Sequence, residues 1–235
     1  MRLLFFTLSV LALSASSGCT GPGLFDRQSW LFGKDPLDDP ALLARIGPTQ
    51  SQKIALVHSL REKLRAAPEE AELAAAELAQ RIQTETDPAV RIEIVKALGD
   101  TRSASATAVL RAGLGYPRPD PDAEVRVAIC ESWGHIGGDE ARSMLASALA
   151  NDTDGDVRIQ AACSLGEFKD SGNMQSLAAA LEDSNIAVQH YAMQSMKSVS
   201  GQDFGEDAKA WREYARSGAA SSQTPSLAAR LWPWK

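Results

Sequence analysis

Asp87-Pro88-Ala89-Val90-Arg91, followed by Leu98-Gly99, decides the reading of this chain because it comes back. It returns as Asp122-Ala123-Glu124-Val125-Arg126 with Trp133-Gly134, and again as Asp154-Gly155-Asp156-Val157-Arg158 with Leu165-Gly166. A worn fourth copy reads Asn185-Ile186-Ala187-Val188-Gln189 with Met196-Lys197. The Val-to-Val spacings are 35, 32 and 31 residues, the length of a supersecondary unit rather than of a heptad or a propeller blade. A stack of such units presents surface and rarely carries chemistry.

Outward from each anchor, apolar residues step at three and four, the helical period. Each anchored helix has a partner before it, at 69–84, 103–114, 139–150 and 173–182. From Ser51, Ile54, Val57, Leu60 and Leu64 form one stripe; Pro68 opens the next helix, whose apolar set reads Leu73, Ala76, Leu78 and Ile82. Gly99, Gly134 and Gly166 stand where a left-handed C-terminal cap is expected. The longest copy owes its length to Gly115–Asp122, a Pro-rich loop that adds a bulge on one edge. A last helix, from about Asp207 to Arg216, brings Trp211 and Tyr214 to cover the end of the stack, since a terminal repeat cannot bury its own outward face.

Register assigns roles. Asp87, Asp122 and Asp154 are placed to cap free backbone N–H groups at helix starts. Arg91, Arg126 and Arg158, four residues on, can each reach an Asp of the same or a neighbouring copy, giving an Asp–Arg ladder. Equivalent copies argue for structure, because catalytic groups seldom repeat with the fold. Trp133 shares the core register of Leu98, Leu165 and Met196. Cys130 falls on the core register of Val95, Ala162 and Met193, while Cys163 shares the solvent register of Lys96, Glu131 and Gln194; cysteines so directed are not expected to bridge. His58, His135 and His190 occupy different registers with no ligand spacing, so no metal is expected. Phosphate loops, Gly-x-Ser-x-Gly elbows and Cys-x-x-Cys pairs are absent from the sequence. Positions three and six after each Val should point away from the core: Glu93 and Lys96, Ala128 and Glu131, Gln160 and Cys163, Tyr191 and Gln194. These eight form the candidate partner-binding strip.

The repeated motif resembles the HEAT repeat, in the short bacterial variety also found in phycobilin lyases, over about residues 69–200. Gly201-Gln202-Asp203-Phe204-Gly205 before a Trp-bearing helix is similar to the ending of many bacterial HEAT-repeat proteins. The resemblance implies an all-α, right-handed solenoid of about four to five helical hairpins with a C-terminal capping helix, its second helices lining the concave side. It implies a non-enzymatic protein-binding scaffold. The alternative it allows is a lyase-like or chromophore-handling protein, for which no acid, nucleophile or pocket is identifiable.

The N-terminus suggests where such a scaffold works. Arg2, the apolar run Leu3–Leu13 and small residues up to Gly18 precede Cys19, which resembles a bacterial lipoprotein signal over 1–18 with Cys19 as the lipidated residue. Ser16 departs from that pattern, which usually has Leu there. Thr20 after the Cys implies outer-membrane sorting, facing the periplasm. Residues 19–50 read as a Pro/Gly-rich linker, 51–217 as the solenoid and 218–235 as a flexible tail. The tail's Leu227, Leu231, Trp232 and Trp234 suit either a docking peptide or a membrane-interface anchor. With 24 Lys and Arg against 30 Asp and Glu, net −6, and no basic run, nucleic acid is not expected as a partner. An envelope protein and the membrane are; no cofactor is.

Overall fold

The computed structural model describes residues 47–168 and 171–217. The signal segment, Cys19, most of the linker and the 218–235 tail lie outside them. The chain divides into two compact units, Met1–Pro48 and Thr49–Lys235, and the second holds every element described here. It is an all-α solenoid of helical hairpins: α1 (Gln50–Lys63), α2 (Pro68–Ile82), α3 (Pro88–Gly99), α4 (Ala104–Gly113), α5 (Ala123–Ile136), α6 (Gly138–Asn151), α7 (Gly155–Glu167), α8 (Met174–Ala179), α9 (Ile186–Ser200) and α10 (Ala208–Arg216).

Two layers result. The second helices α3, α5, α7 and α9 carry the repeated motif and pack on one another in chain order; α2, α4, α6 and α8 cover them from one side. Helix α1 also belongs to the second-helix layer, because it packs against α3. Its Thr49 is the equivalent of Asp87, and Val57 and Leu60 fill the registers of Val95 and Leu98. This worn first copy is invisible to the motif, since Gln52-Lys53 replaces Val-Arg.

Core formation follows the anchors. Val90, Val125, Val157 and Val188 are all buried, as are Leu98, Trp133, Leu165 and Met196. Each such aliphatic side chain contributes about 1.5–3 kcal/mol on burial. The expected stripe on α2 is corrected: Leu73 is 72% exposed and Ala76 is exposed, while Ala74, Ala75 and Leu78 face inward. Alanine's small side chain lets α2 approach its neighbours along the Ala74–Ala75 edge. The fourth partner helix covers the expected 173–182 but is irregular, with a 3-10 turn at Ser171–Asn173, six α-helical residues, and a second 3-10 turn at Ala180–Glu182. Helix α10 closes the stack as expected: Trp211 is buried, meets Phe204 edge-on with centroids 4.9 Å apart, and donates from Nε1 to the Gly205 carbonyl at 3.0 Å.

The glycines do something other than expected. Gly99, Gly134 and Gly166 are not left-handed caps; positive φ belongs to Gly137 and Gly201, which end α5 and α9. A Cβ on Gly99 would meet Ser132 Oγ at 2.6 Å, and one on Gly166 would meet Ser195 Oγ at 2.6 Å and its Cα at 2.9 Å. Gly134 faces Ser164 at 3.1 Å in the same way. A glycine of one second helix therefore abuts a serine of the next, three times over, setting the spacing of the layer. The Ser132 hydroxyl is used internally, donating to the Ala128 carbonyl at 2.8 Å.

Candidate interaction face

The ladder that joins the hairpins is the first thing the second-helix layer builds. Each capping residue behaves as expected: Asp87 accepts from the Ala89 N–H, Asp122 from Glu124 and Val125, Asp154 from Asp156 and Val157, and Asn185 from Ala187. The arginines, however, do not pair with these caps. They pair with a second acid two residues before the next cap. Arg126 holds Asp152 through two bonds of 2.8 Å, and Arg158 holds Asp183 at 2.7 and 2.9 Å, both in the planar two-pronged geometry that guanidinium and carboxylate share. Arg91 reaches Asp120 at 3.1 Å through one nitrogen. Lys53 reaches Glu85 at 3.0 Å, so α1 supplies the first rung.

Each of these acids does a second job. Glu85, Asp120, Asp152 and Asp183 accept the backbone N–H of the following cap at 2.9, 3.0, 2.9 and 2.7 Å. Arg126 and Arg158 also reach back within their own copies. Arg126 donates to the Asp120 carbonyl at 2.8 Å and Arg158 to that of Asp152 at 2.9 Å. Gln189, which replaces arginine in the last copy, keeps that backward bond, to the Asp183 carbonyl at 2.7 Å.

The middle rung is the most buried. The Asp152 side chain is 1% exposed and also receives the Tyr116 hydroxyl from the long α4–α5 loop, so the bulge is turned into a brace. Burial pushes the Asp152 carboxyl up, but bonds from Arg126, Tyr116 and the Asp154 N–H bring it below the ordinary carboxylate range. Asp183 is lowered by its bond to Arg158. Tyr116 is pushed far up by burial and by Asp152. These groups are committed to fixed partners. Among the described residues two thiols are free, Cys130 buried and Cys163 half-buried, and burial raises each, with Glu167 adding to Cys163. A thiol held protonated is a poor nucleophile and a poor ligand.

On the open side of the layer, Lys96, Glu131, Tyr191 and Gln194 are exposed as expected, and Glu93, Gln160 and Cys163 are half-buried. Ala128 is a correction: it is 4% exposed and part of the core. Its row runs beside the seam between adjacent helices, where only a side chain as long as Glu93, Gln160 or Tyr191 emerges. The face also extends further than expected, onto α1, where His58 bonds Glu93 at 3.2 Å while Lys96 approaches the same carboxylate at 3.5 Å. At the other end His190 meets Tyr191 edge-on at 5.7 Å and bonds Gln194 at 2.7 Å. Glu131, between them, has no ion pair among the described residues. Trp133 is core filler, 1% exposed. No group of three or more His, Cys, Asp or Glu side chains among the described residues is arranged to hold a metal, and no described helix is long and apolar enough to cross a membrane.

Sequence reasoning missed the acids of the rungs. The signal was present: Glu85-Thr86-Asp87, Asp120-Pro121-Asp122, Asp152-Thr153-Asp154 and Asp183-Ser184-Asn185 place an acid two before every cap.

Fold and ladder define an α-solenoid protein built from stacked helical hairpins. Residues 117–197, from the α4–α5 loop through most of α9, match the family of HEAT repeats. No curated protein matches the chain.

Proposed function

We propose that this chain is a non-enzymatic interaction scaffold of the cell envelope: a HEAT-repeat solenoid tethered through a lipidated Cys19, in the outer membrane facing the periplasm, that holds another envelope protein on its second-helix face. One observation carries the reading. Lys96, Glu131 and Gln194 stand exposed at equivalent positions on α3, α5 and α9, with half-buried Cys163 at that position on α7 and exposed Tyr191 beside Gln194, which supports a continuous strip. HEAT repeats generally mediate protein–protein interaction. The strip mixes both charges with amide and aromatic groups, which suits a protein surface better than a polyanion. The ordered titratable groups of the ladder are spent on rungs, which supports a binding role over an acid–base one.

The test is affinity capture from crosslinked envelopes with the full-length chain. Tyr191→Ala combined with Glu131→Lys should reduce recovery of the captured partner at least tenfold with helicity unchanged, and Cys19→Ser should move the protein to the soluble fraction. Undiminished capture by the double variant would overturn the face; unchanged membrane retention of Cys19→Ser would overturn the tether.

A further inference from the structure

On the opposite layer, a groove of about 530 Å³ opens between α6 and α8. Ala146, Leu149 and Ala150 form one wall, and Ser176, Ala179 and Ala180 the other. Its origin is local. Helix α8 stops after six residues and tightens into a 3-10 turn, and alanine faces alanine where larger side chains would have filled the gap. Of the lining residues, Leu149 and Ala180 are buried, while Ala150 and Ala179 are exposed. Glu182 and Asp183 also line the groove, already paired with Arg212 and Arg158.

We propose that this groove seats the chain's own segment 218–235, through Leu231, Trp232 and Trp234. The path is short: the segment follows α10, and α10 packs against α8, one wall of the groove. Eighteen residues follow Ser217 in this chain, an extended reach of about 60 Å, so distance does not restrict the docking. The residues suit the site. Two of the five tryptophans fall within the last four positions, and flat rings fit a shallow channel walled by small side chains. The segment carries Arg230 and Lys235 with no Asp or Glu, against a chain of net charge −6. Tethering helps as well, since covalent attachment makes the encounter intramolecular and raises the effective concentration at the groove. A weak contact is then enough to fill the groove.

Tryptic cleavage of the full-length chain after Arg230 tests this, read by mass spectrometry beside a synthetic peptide of residues 218–235. The wild-type chain should be cut there at least tenfold more slowly than the peptide. Ala150→Trp and Ala179→Trp, at exposed positions that fill the groove, should each return the rate to within about twofold of the peptide with circular dichroism unchanged. Cleavage of the wild type at the peptide's rate would overturn the proposal, as would protection that survives both groove-filling variants. Protection that appears only with phosphatidylglycerol-containing vesicles would assign the segment to a bilayer. Protection that grows with protein concentration would assign it to a second copy; either overturns the intramolecular seat.

Discussion

Gly166 shows how much one missing methyl group decides. Its hydrogen allows Ser195 to approach so closely that an added Cβ would lie 2.6–2.9 Å from the serine's Oγ, Cβ and Cα. A backbone atom is among those obstacles, so a rotamer change cannot relieve the clash. Gly166→Ala is expected to destabilise the protein by about 1–3 kcal/mol, the usual cost of overpacking a well-filled interior. At roughly 2–4 °C per kcal/mol for a domain of this size, that is a Tm lower by about 2–12 °C in a thermal melt. Helix propensity alone predicts the opposite sign, because alanine is the better helix former by about 1 kcal/mol. An unchanged or raised Tm would therefore show that the seam is not close-packed. The sequence marked these glycines as special but not why: a glycine near a helix end reads as a cap, and only the neighbouring helix reveals a steric need.

At the scale of elements, the hairpins are joined by rungs rather than by generic surface ion pairs. Arg126 and Asp152 are nearly inaccessible, and a buried carboxylate left without its cation is costly. Arg126→Met should lower stability by about 3–5 kcal/mol in urea denaturation. The further change Asp152→Leu, by removing the stranded charge, should restore part of that loss; equal values for single and double variants would refute coupling across the rung. Much of this level was legible. The Val spacing gave the hairpins, their order and the capping roles of Asp87, Asp122 and Asp154, because those depend on local hydrogen bonds and helical period. The choice of carboxylate for each arginine was not legible, since it depends on how one hairpin seats on the next. Ala128 was misplaced for a related reason: period tells which side of a helix a residue occupies, but not how near the neighbouring helix comes. Degenerate copies hid too, as with α1, whose Thr49 and Lys53 keep the chemistry of cap and rung while changing every letter.

For the whole molecule, the rungs impose one dependence on acidity. Asp152 and Asp183, with Glu85 at the first rung, titrate below their ordinary values when folded. Their contribution is present above the unfolded carboxylate values near 4 and is lost as the pH falls through the lower folded ones. Thermal melts should give a Tm that holds from about pH 7 to 5 and drops toward pH 3, with a shallower drop in Asp183→Asn; a flat profile in the wild type would contradict the scheme. The shared atoms of the ladder carry a further consequence for how such a chain can grow or shrink. Asp152 serves α5, α7 and the α4–α5 loop at once, so excising a hairpin at arbitrary points strands partners on both sides. A cut joining equivalent residues, such as Asp122 to Asp154, leaves every donor facing an acceptor of the same kind. Insertions and deletions tolerated by this architecture should therefore come in whole modules, spliced in phase.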